Sequence, residues 1–408
     1  MSHTYQRVIS SELETRLQAY GFISPRYHGH SLGSVLPAAA AALGQPEVLD
    51  KVAATTGGSD RARSAAAAFG LGEVERVCVV LIDGLGLHNL RDNAASAPFL
   101  SSLLGDNTSG RTGFPSTTAT AMGLFGTGSS PGQTAMVGYS AQDPVSGVVG
   151  NFVSWKDLGE PTEIQRHPVI FELLANAGVQ VTSVGLERFA DSGMTQAALR
   201  GATYLRASTL GEHVNAAAAA LSRPGLVHLY WGEVDKIGHH HGPTSSQWRR
   251  ALAHTDYEMS RLYQALPPKT ALIVTADHGM ITTDPKSLID ISSNYALSKG
   301  VRTVAGEPRA SHIYLNSPGS AVATAKRWNE VLGDRALVLA KEEAIGQGLF
   351  GTATKYAKSW IGDLVVAMTG TGTIADATTA PPASLKLLGV HGSLTPAEVE
   401  IPILVVQT

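Results

Sequence analysis

Six oxygen and nitrogen side chains stand out by type and spacing. Asp277-His278-Gly279-Met280 places a carboxylate beside an imidazole, and Asp235-Lys236-Ile237-Gly238-His239 places the same pair four residues apart. Asp83 follows the apolar run Val77–Ile82, and His391 stands in Val390-His391-Gly392-Ser393. Carboxylate oxygen with imidazole nitrogen suits zinc, and also manganese or other first-row ions. Six such ligands suffice for two divalent ions. A pair held roughly 3.5–4 Å apart clamps the attacking and leaving oxygens of a displacement. Pro115-Ser116-Thr117-Thr118 adds a hydroxyl cluster as candidate nucleophile. The inventory points to metal-assisted hydrolysis of a phosphate ester.

Taken singly, these signals are weak. A lone Asp at a strand end is commonly a turn former or helix cap, and a lone buried His is commonly a hydrogen-bonded core residue. Their combination carries the weight, each segment also holding a glycine. His239-His240-His241 cannot all reach one ion from a regular element, so a solvated loop with one functional ring is expected there. His28 and His30 read as a surface loop. His88, close after Asp83, is open to either reading.

The elements that must position these groups are legible in outline. Val77–Ile82 is a continuous apolar, β-branched run, as in strands buried on both faces of a parallel sheet. Further strands are expected at Gln180–Val184, Leu226–Trp231, Leu272–Thr275, Ile313–Leu315 and Ile403–Val406. Ala38–Ala42 and Ala65–Ala68 read as helical packing surfaces. Ser245–Ala265 is the clearest amphipathic helix, with Trp248, Leu252, Met259 and Leu262 near helical spacing. Strands alternating with helices predict a mostly parallel α/β sheet flanked by helices. Asp83, Asp235 and Asp277-His278 then fall at or just past C-terminal strand ends, where open α/β sheets gather ligands. The long stretch before His391 predicts an inserted cap, approximately 284–388, within one catalytic unit spanning 1–408.

Ala119-Thr120-Ala121-Met122-Gly123-Leu124 favours helix, with Pro115 and Ser116 at its entry. A hydroxyl at a helix N-terminus sits where backbone N–H groups and the dipole attract an anion. Metal coordination there would activate it as a covalent nucleophile. At least one of Ser116, Thr117 and Thr118 is expected to be a simple cap.

The chain has 408 residues, with 43% hydrophobic and 16% charged, a globular composition long enough for a large core. Net charge is −3 and no basic run occurs, which argues against a nucleic-acid polymer as partner but leaves a nucleotide-sized phosphate ester. Cys78 is the single cysteine and lies in an apolar run, so it reads as core packing and excludes an intrachain disulfide. Met1–Arg7 lacks the apolar stretch of a secretory signal, and no apolar run approaches the roughly 18 residues of a membrane helix. A cytoplasmic protein without membrane contact is expected.

With these segments in hand, the chain resembles the alkaline phosphatase superfamily, and within it the type I phosphodiesterase/nucleotide pyrophosphatase family. The carrying segments are Val79–Gly84, Phe114–Thr118, Val234–His239, Ala276–Met280 and Val390–Ser393, in the family's order. The resemblance implies that Asp83, Asp277, His278 and the Thr nucleophile hold one metal, and Asp235, His239 and His391 the other. It implies two divalent ions, zinc first and manganese second. Family spacing to Thr127-Gly128 selects Thr118 over Thr117. The implied reaction is a double displacement: Thr118 attacks phosphorus and expels an alcohol or phosphate, and water then hydrolyses the phosphothreonine. Two departures are visible. Phe114-Pro115 precedes the nucleophile instead of following it. Where relatives carry an Asn that holds a phosphoryl oxygen, this chain has Tyr139, the implied substrate contact.

Phosphodiesters or nucleotide pyrophosphates are therefore the expected substrates. The alternative is a phosphomonoesterase, phosphonate hydrolase or mutase of the same superfamily. A cation near the phosphate favours a dianionic monoester; an apolar slot favours a diester. Arg309 and Lys236 are the cations to place. A non-catalytic metal-binding scaffold is disfavoured by the intact ligands and hydroxyl. Gly84-Leu85-Gly86 lacks the third Gly of a dinucleotide fingerprint, Asn89 standing there, and no P-loop sequence occurs.

Overall fold

The computed structural model describes residues 9–52 and 57–408; the Met1–Arg7 reading lies outside them. The strands are numbered in chain order. The first eight are β1 (Arg76–Ile82), β2 (Ser109–Arg111), β3 (Ser140–Gln142), β4 (Val149–Asn151), β5 (Val181–Gly185), β6 (Thr203–Arg206), β7 (Gly225–Trp231) and β8 (Thr270–Thr275). After them come β9 (Ile281–Thr282), β10 (Ile289–Asp290), β11 (Val301–Glu307), β12 (Ala310–Leu315), β13 (Ala336–Ala340), β14 (Leu364–Met368), β15 (Ile374–Ala375), β16 (Gly389–Val390) and β17 (Glu400–Gln407).

The central sheet has the order β2-β17-β8-β1-β7-β5-β6. Its five inner and distal strands are parallel, while β17 runs antiparallel to β8 and β2 antiparallel to β17. β1 sits in the middle, Val80 registering with Leu229 of β7 and Val274 of β8. Val77 to Ile82 are fully buried, which is why the run is apolar on both faces.

Helix Ser246–Gln264 buries Trp248, Leu252, Met259 and Leu262 in the main core, and the Ser245 hydroxyl caps it by accepting from Trp248 N–H at 3.1 Å. Helices Val35–Ala42 and Gly58–Ala68 lie against each other, their alanines allowing close approach.

A second sheet, β11-β12-β14-β13, is antiparallel throughout and has its own core around Trp328, Leu364 and Met368. The expected strand Ile313–Leu315 belongs here, not to the parallel sheet. Only Pro308 and Arg309 separate β11 from β12, and so short a link can join only antiparallel neighbours. No helix among the described residues is long and apolar enough to cross a membrane.

Candidate active site

Three segments leave the C-terminal edge of β1, β7 and β8 and meet. Asp83 directly follows β1, and its N–H donates to the Trp231 carbonyl at 2.9 Å. Asp277 and His278 follow β8. Asp235 and His239 lie in helix Glu233–His241 just after β7, one turn apart and on one face. His391 arrives from β16, which pairs with β9. Two glycines make the approach feasible. Gly84 has φ +73°, and a Cβ there would stand 2.9 Å from Asp235 Cβ. Gly238 lies against Met280, where a Cβ would be 2.4 Å from the sulfur.

Each imidazole has one nitrogen committed to a carbonyl. Nδ1–H of His239 donates to Gly389 (2.8 Å), of His391 to Ser116 (2.9 Å) and of His278 to Gly279 (3.1 Å). A carbonyl only accepts, so each ring commits its Nδ1–H there and turns its Nε2 toward the cluster. His278 Nε2 lies 3.4 Å from Asp83 Oδ1 and 3.4 Å from Asp277 Oδ2. His239 Nε2 lies 3.2 Å from Asp235 Oδ2, and His391 Nε2 3.9 Å from Asp235 Oδ1. Two groups result, Asp83/Asp277/His278 and Asp235/His278/His391, each with ligand atoms within 4.8 Å of one another. His278 is common to both, so the two groups adjoin.

The residues fit a pair of cations. Asp83 Oδ1, Asp235 Oδ1 and Asp277 Oδ2 are buried without a hydrogen-bond partner. Burial, then the charges of Asp277 and Asp235, drive the Asp83 carboxyl well above its usual range. Burial also raises Asp235, but the His239 charge and hydrogen bond, with His391 and His278, outweigh it and hold that carboxyl below the ordinary range. Burial lowers His239, yet Asp235 and the Gly389 carbonyl lift it to about 9. Burial and His278 hold His391 well below the usual imidazole range. Such a concentration of buried carboxylate is what a divalent cation neutralises.

Thr118 opens helix Thr118–Thr127, and its Oγ1 lies 3.3 Å from His278 Nε2. The helix starts later than expected: Pro115 and Ser116 lie before it and Thr117 is the N-cap. Ser116 is drawn off by the His391 turn, its hydroxyl donating to the Ser393 carbonyl (2.7 Å) and its N–H to Gly392 (3.0 Å). Thr117 makes no side-chain capping bond, which leaves the first-turn N–H groups open to an anion.

Tyr139 is not drawn into the cluster by its side chain, which is 43% exposed. Its N–H donates to Glu307 Oε2 at 2.8 Å, and Glu307 packs against Gly392 beside His391. His240 and His241 are exposed at the end of a helix, not in the expected loop. His88 pairs with Glu400, His30 packs against Phe69, and half-buried His28 lies near Arg61, all apart from the cluster.

Neither candidate cation serves the site. Arg309 is fully buried and bidentate to Glu398 (3.0 and 2.7 Å), with its remaining donors on the Thr369 and Gly372 carbonyls. Lys236 is exposed and pairs with Glu233.

Sequence reasoning missed two supports. The Tyr230 hydroxyl donates to Asp83 Oδ2. The signal existed only in the register: Tyr230 is opposite Leu81, and Asp83, two residues on, shares that face. Asn89 brackets Met280, accepting from its N–H (3.0 Å) and donating to its carbonyl (2.9 Å), which holds the Asp277-His278 loop. This is a structural use of the position where a dinucleotide fingerprint would need Gly.

The α/β sheet thus gathers paired carboxylate–imidazole groups at its C-terminal edge, beside a hydroxyl at a helix start. The model of the type I phosphodiesterase/nucleotide pyrophosphatase family matches residues 77–394, and the chain belongs to that family. A human protein, ectonucleotide pyrophosphatase/phosphodiesterase family member 7, is 37% identical over 67 residues, 15% of either chain. Phosphopentomutase of Caldanaerobacter subterraneus is 27% identical over 153 residues, 36% of this chain and 37% of that protein. The chain thus matches well under half the length of either curated relative. Murine ectonucleotide pyrophosphatase/phosphodiesterase 5, solved as an inactive Thr-to-Ala variant with AMP, shares the fold at TM-score 0.64 and 18% identity, over 81% of this chain and 87% of that one. Phosphonoacetate hydrolase of Sinorhizobium meliloti does so at TM-score 0.60 and 19% identity, over 80% and 89%.

Proposed function

We propose that the protein is a two-metal hydrolase of phosphodiesters or nucleotide pyrophosphates that works through a covalent phosphothreonine on Thr118. The carrying observation is that three carbonyls aim three imidazole Nε2 atoms, and three carboxylates aim buried, unpartnered oxygens, into one cluster bordered by Thr118. Asp83, Asp277, His278 and Thr118 would hold one ion, and Asp235, His239 and His391 the other; zinc suits this set best, with manganese next. When bound, the ions supply Lewis acidity toward the Thr118 oxygen and the phosphoryl oxygens.

Thr118 Oγ1 loses its proton to solvent as it attacks phosphorus, the bond from phosphorus to the leaving oxygen breaks, and that oxygen departs as phosphate or takes up a proton as an alcohol. The open N–H groups of helix Thr118–Thr127 favour the anionic phosphoryl group at its N-terminus. Water then attacks phosphorus from the vacated side, the Oγ1–phosphorus bond breaks, and the Thr118 hydroxyl is restored. The murine neighbour is inactive in a Thr-to-Ala form, which supports a catalytic threonine in this fold.

The absence of Arg309 and Lys236 from the cluster supports a diester over a dianionic monoester. A substrate contact is proposed for Tyr139 because its backbone N–H is tied to Glu307, which packs against Gly392 beside His391. Phosphonate hydrolysis or a mutase reaction is the second reading, favoured by the likeness to phosphonoacetate hydrolase and the match to phosphopentomutase. Turnover of diester, monoester and phosphonate substrates by the metal-loaded protein separates them; a preference for phosphonoacetate would overturn the first reading.

A further inference from the structure

The nucleophile helix is held at both ends by residues that lie before the family match, which begins at residue 77. On the N-terminal side, Tyr27 is buried, and its hydroxyl accepts from the Phe114 N–H (3.3 Å) while donating to the Leu349 carbonyl (2.6 Å). Phe114 is four residues before Thr118. The Tyr27 ring also lies against Gly113 and Gly351, where added Cβ atoms would stand 3.1 and 3.2 Å from it. Arg26 N–H adds a bond to the Thr112 carbonyl (3.2 Å).

On the C-terminal side, the buried Arg61 guanidinium donates to the carbonyl of Gly128, the left-handed C-cap of the same helix (3.1 Å). Its other terminal nitrogen donates to the Tyr27 carbonyl (2.6 Å) and to Gly33 (3.3 Å). Gly33 in turn packs so closely on Leu124 in mid-helix that a Cβ would meet it at 2.4 Å. One guanidinium therefore ties the two ends of the clamp together.

We propose that Tyr27 and Arg61 are positioning residues for Thr118, clamping its helix so that Oγ1 stays beside His278 Nε2. The proposal rests on Thr118 being the nucleophile. Burial keeps the Tyr27 hydroxyl protonated, so its donor role is constant across the working pH range. Small displacements of a reacting atom cost rate steeply, whereas substrate binding depends on them far less.

The test compares full-length, metal-loaded wild type with Tyr27→Phe, Arg61→Lys and Thr118→Ala on bis-p-nitrophenyl phosphate, with metal content and Tm measured on each. Tyr27→Phe keeps the ring packing and removes only the hydroxyl. Its kcat is expected to fall on the order of ten-fold with KM and metal content at wild-type values; Arg61→Lys, losing the fork but not the charge, moves the same way. Wild-type kcat in Tyr27→Phe would overturn the proposal. So would a loss that only tracks lowered metal content and Tm, which marks general destabilisation. Should Arg61→Lys fold poorly, Tyr27→Phe decides. Wild-type turnover in Thr118→Ala would instead sink the nucleophile assignment, whatever the clamp variants do.

Discussion

The imidazoles of His278 and His391 stack, their centroids 3.6 Å apart and their planes 16° apart. Each ring has Nδ1–H on a carbonyl, so both Nε2 atoms face the Asp83, Asp235 and Asp277 oxygens. Two imidazolium ions in this contact would repel strongly, and burial already holds His391 neutral. Stacked rings that both turn Nε2 toward the carboxylates are suited to ligating two neighbouring cations.

Metal removal gives the first prediction. Chelation should abolish phosphodiester turnover and lower Tm, because stripping the ions leaves buried carboxylates facing one another. An ion at 100 times its Kd contributes about 2.7 kcal/mol of stability by mass action. Differential scanning with and without chelator reads this directly; an unchanged Tm and rate in protein shown to be metal-free would contradict it.

Asp277→Ala and His28→Ala form a contrast. Asp277 is buried among the ligands with Oδ2 unpartnered, whereas His28 lies outside the cluster near Arg61. Even partners of metal ligands cost about 10–100-fold when removed, so Asp277→Ala should lose at least about 100-fold in kcat/KM. His28→Ala should lose far less. Equal effects would shift the site toward the N-terminal segment.

Tyr230→Phe tests the support that sequence reading missed. Losing the hydroxyl on Asp83 Oδ2 should weaken metal binding by about 10–100-fold while leaving the fold intact. Isothermal titration of apo protein with zinc is the measurement, and wild-type affinity would remove Tyr230 from the site.

Arg309 is expected to be structural. Arg309→Met leaves Glu398 buried without its partner, a loss of about 3–5 kcal/mol. The ratio of diester to monoester turnover in the folded fraction should stay at the wild-type value. A changed ratio at unchanged stability would mean that Arg309 reaches the substrate.

Much of this was legible from residues alone, for physical reasons that differ by element. Val77–Ile82 announced itself because a central parallel strand is apolar on both faces, and Asp83, Asp235 and Asp277-His278 were placed by the strand ends that precede them. Ile313–Leu315 read equally well as a parallel strand, since strand patterns do not encode partner direction; the two-residue link from β11 does. The entry of helix Thr118–Thr127 was misread by two residues because Pro115-Ser116 has a cap-like pattern, while the Ser116 hydroxyl is claimed by Ser393, 277 positions away. Tyr230 and Asn89 were invisible for the same reason: their partners Asp83 and Met280 are neighbours only in three dimensions.

The central claim is Thr118-dependent cleavage of a diester. Metal-analysed wild type and Thr118→Ala should be assayed side by side on bis-p-nitrophenyl phosphate and p-nitrophenyl phosphate. The account predicts faster turnover of the diester and its loss in Thr118→Ala. Faster turnover of the monoester, or a Thr118→Ala enzyme as active as wild type, would contradict it.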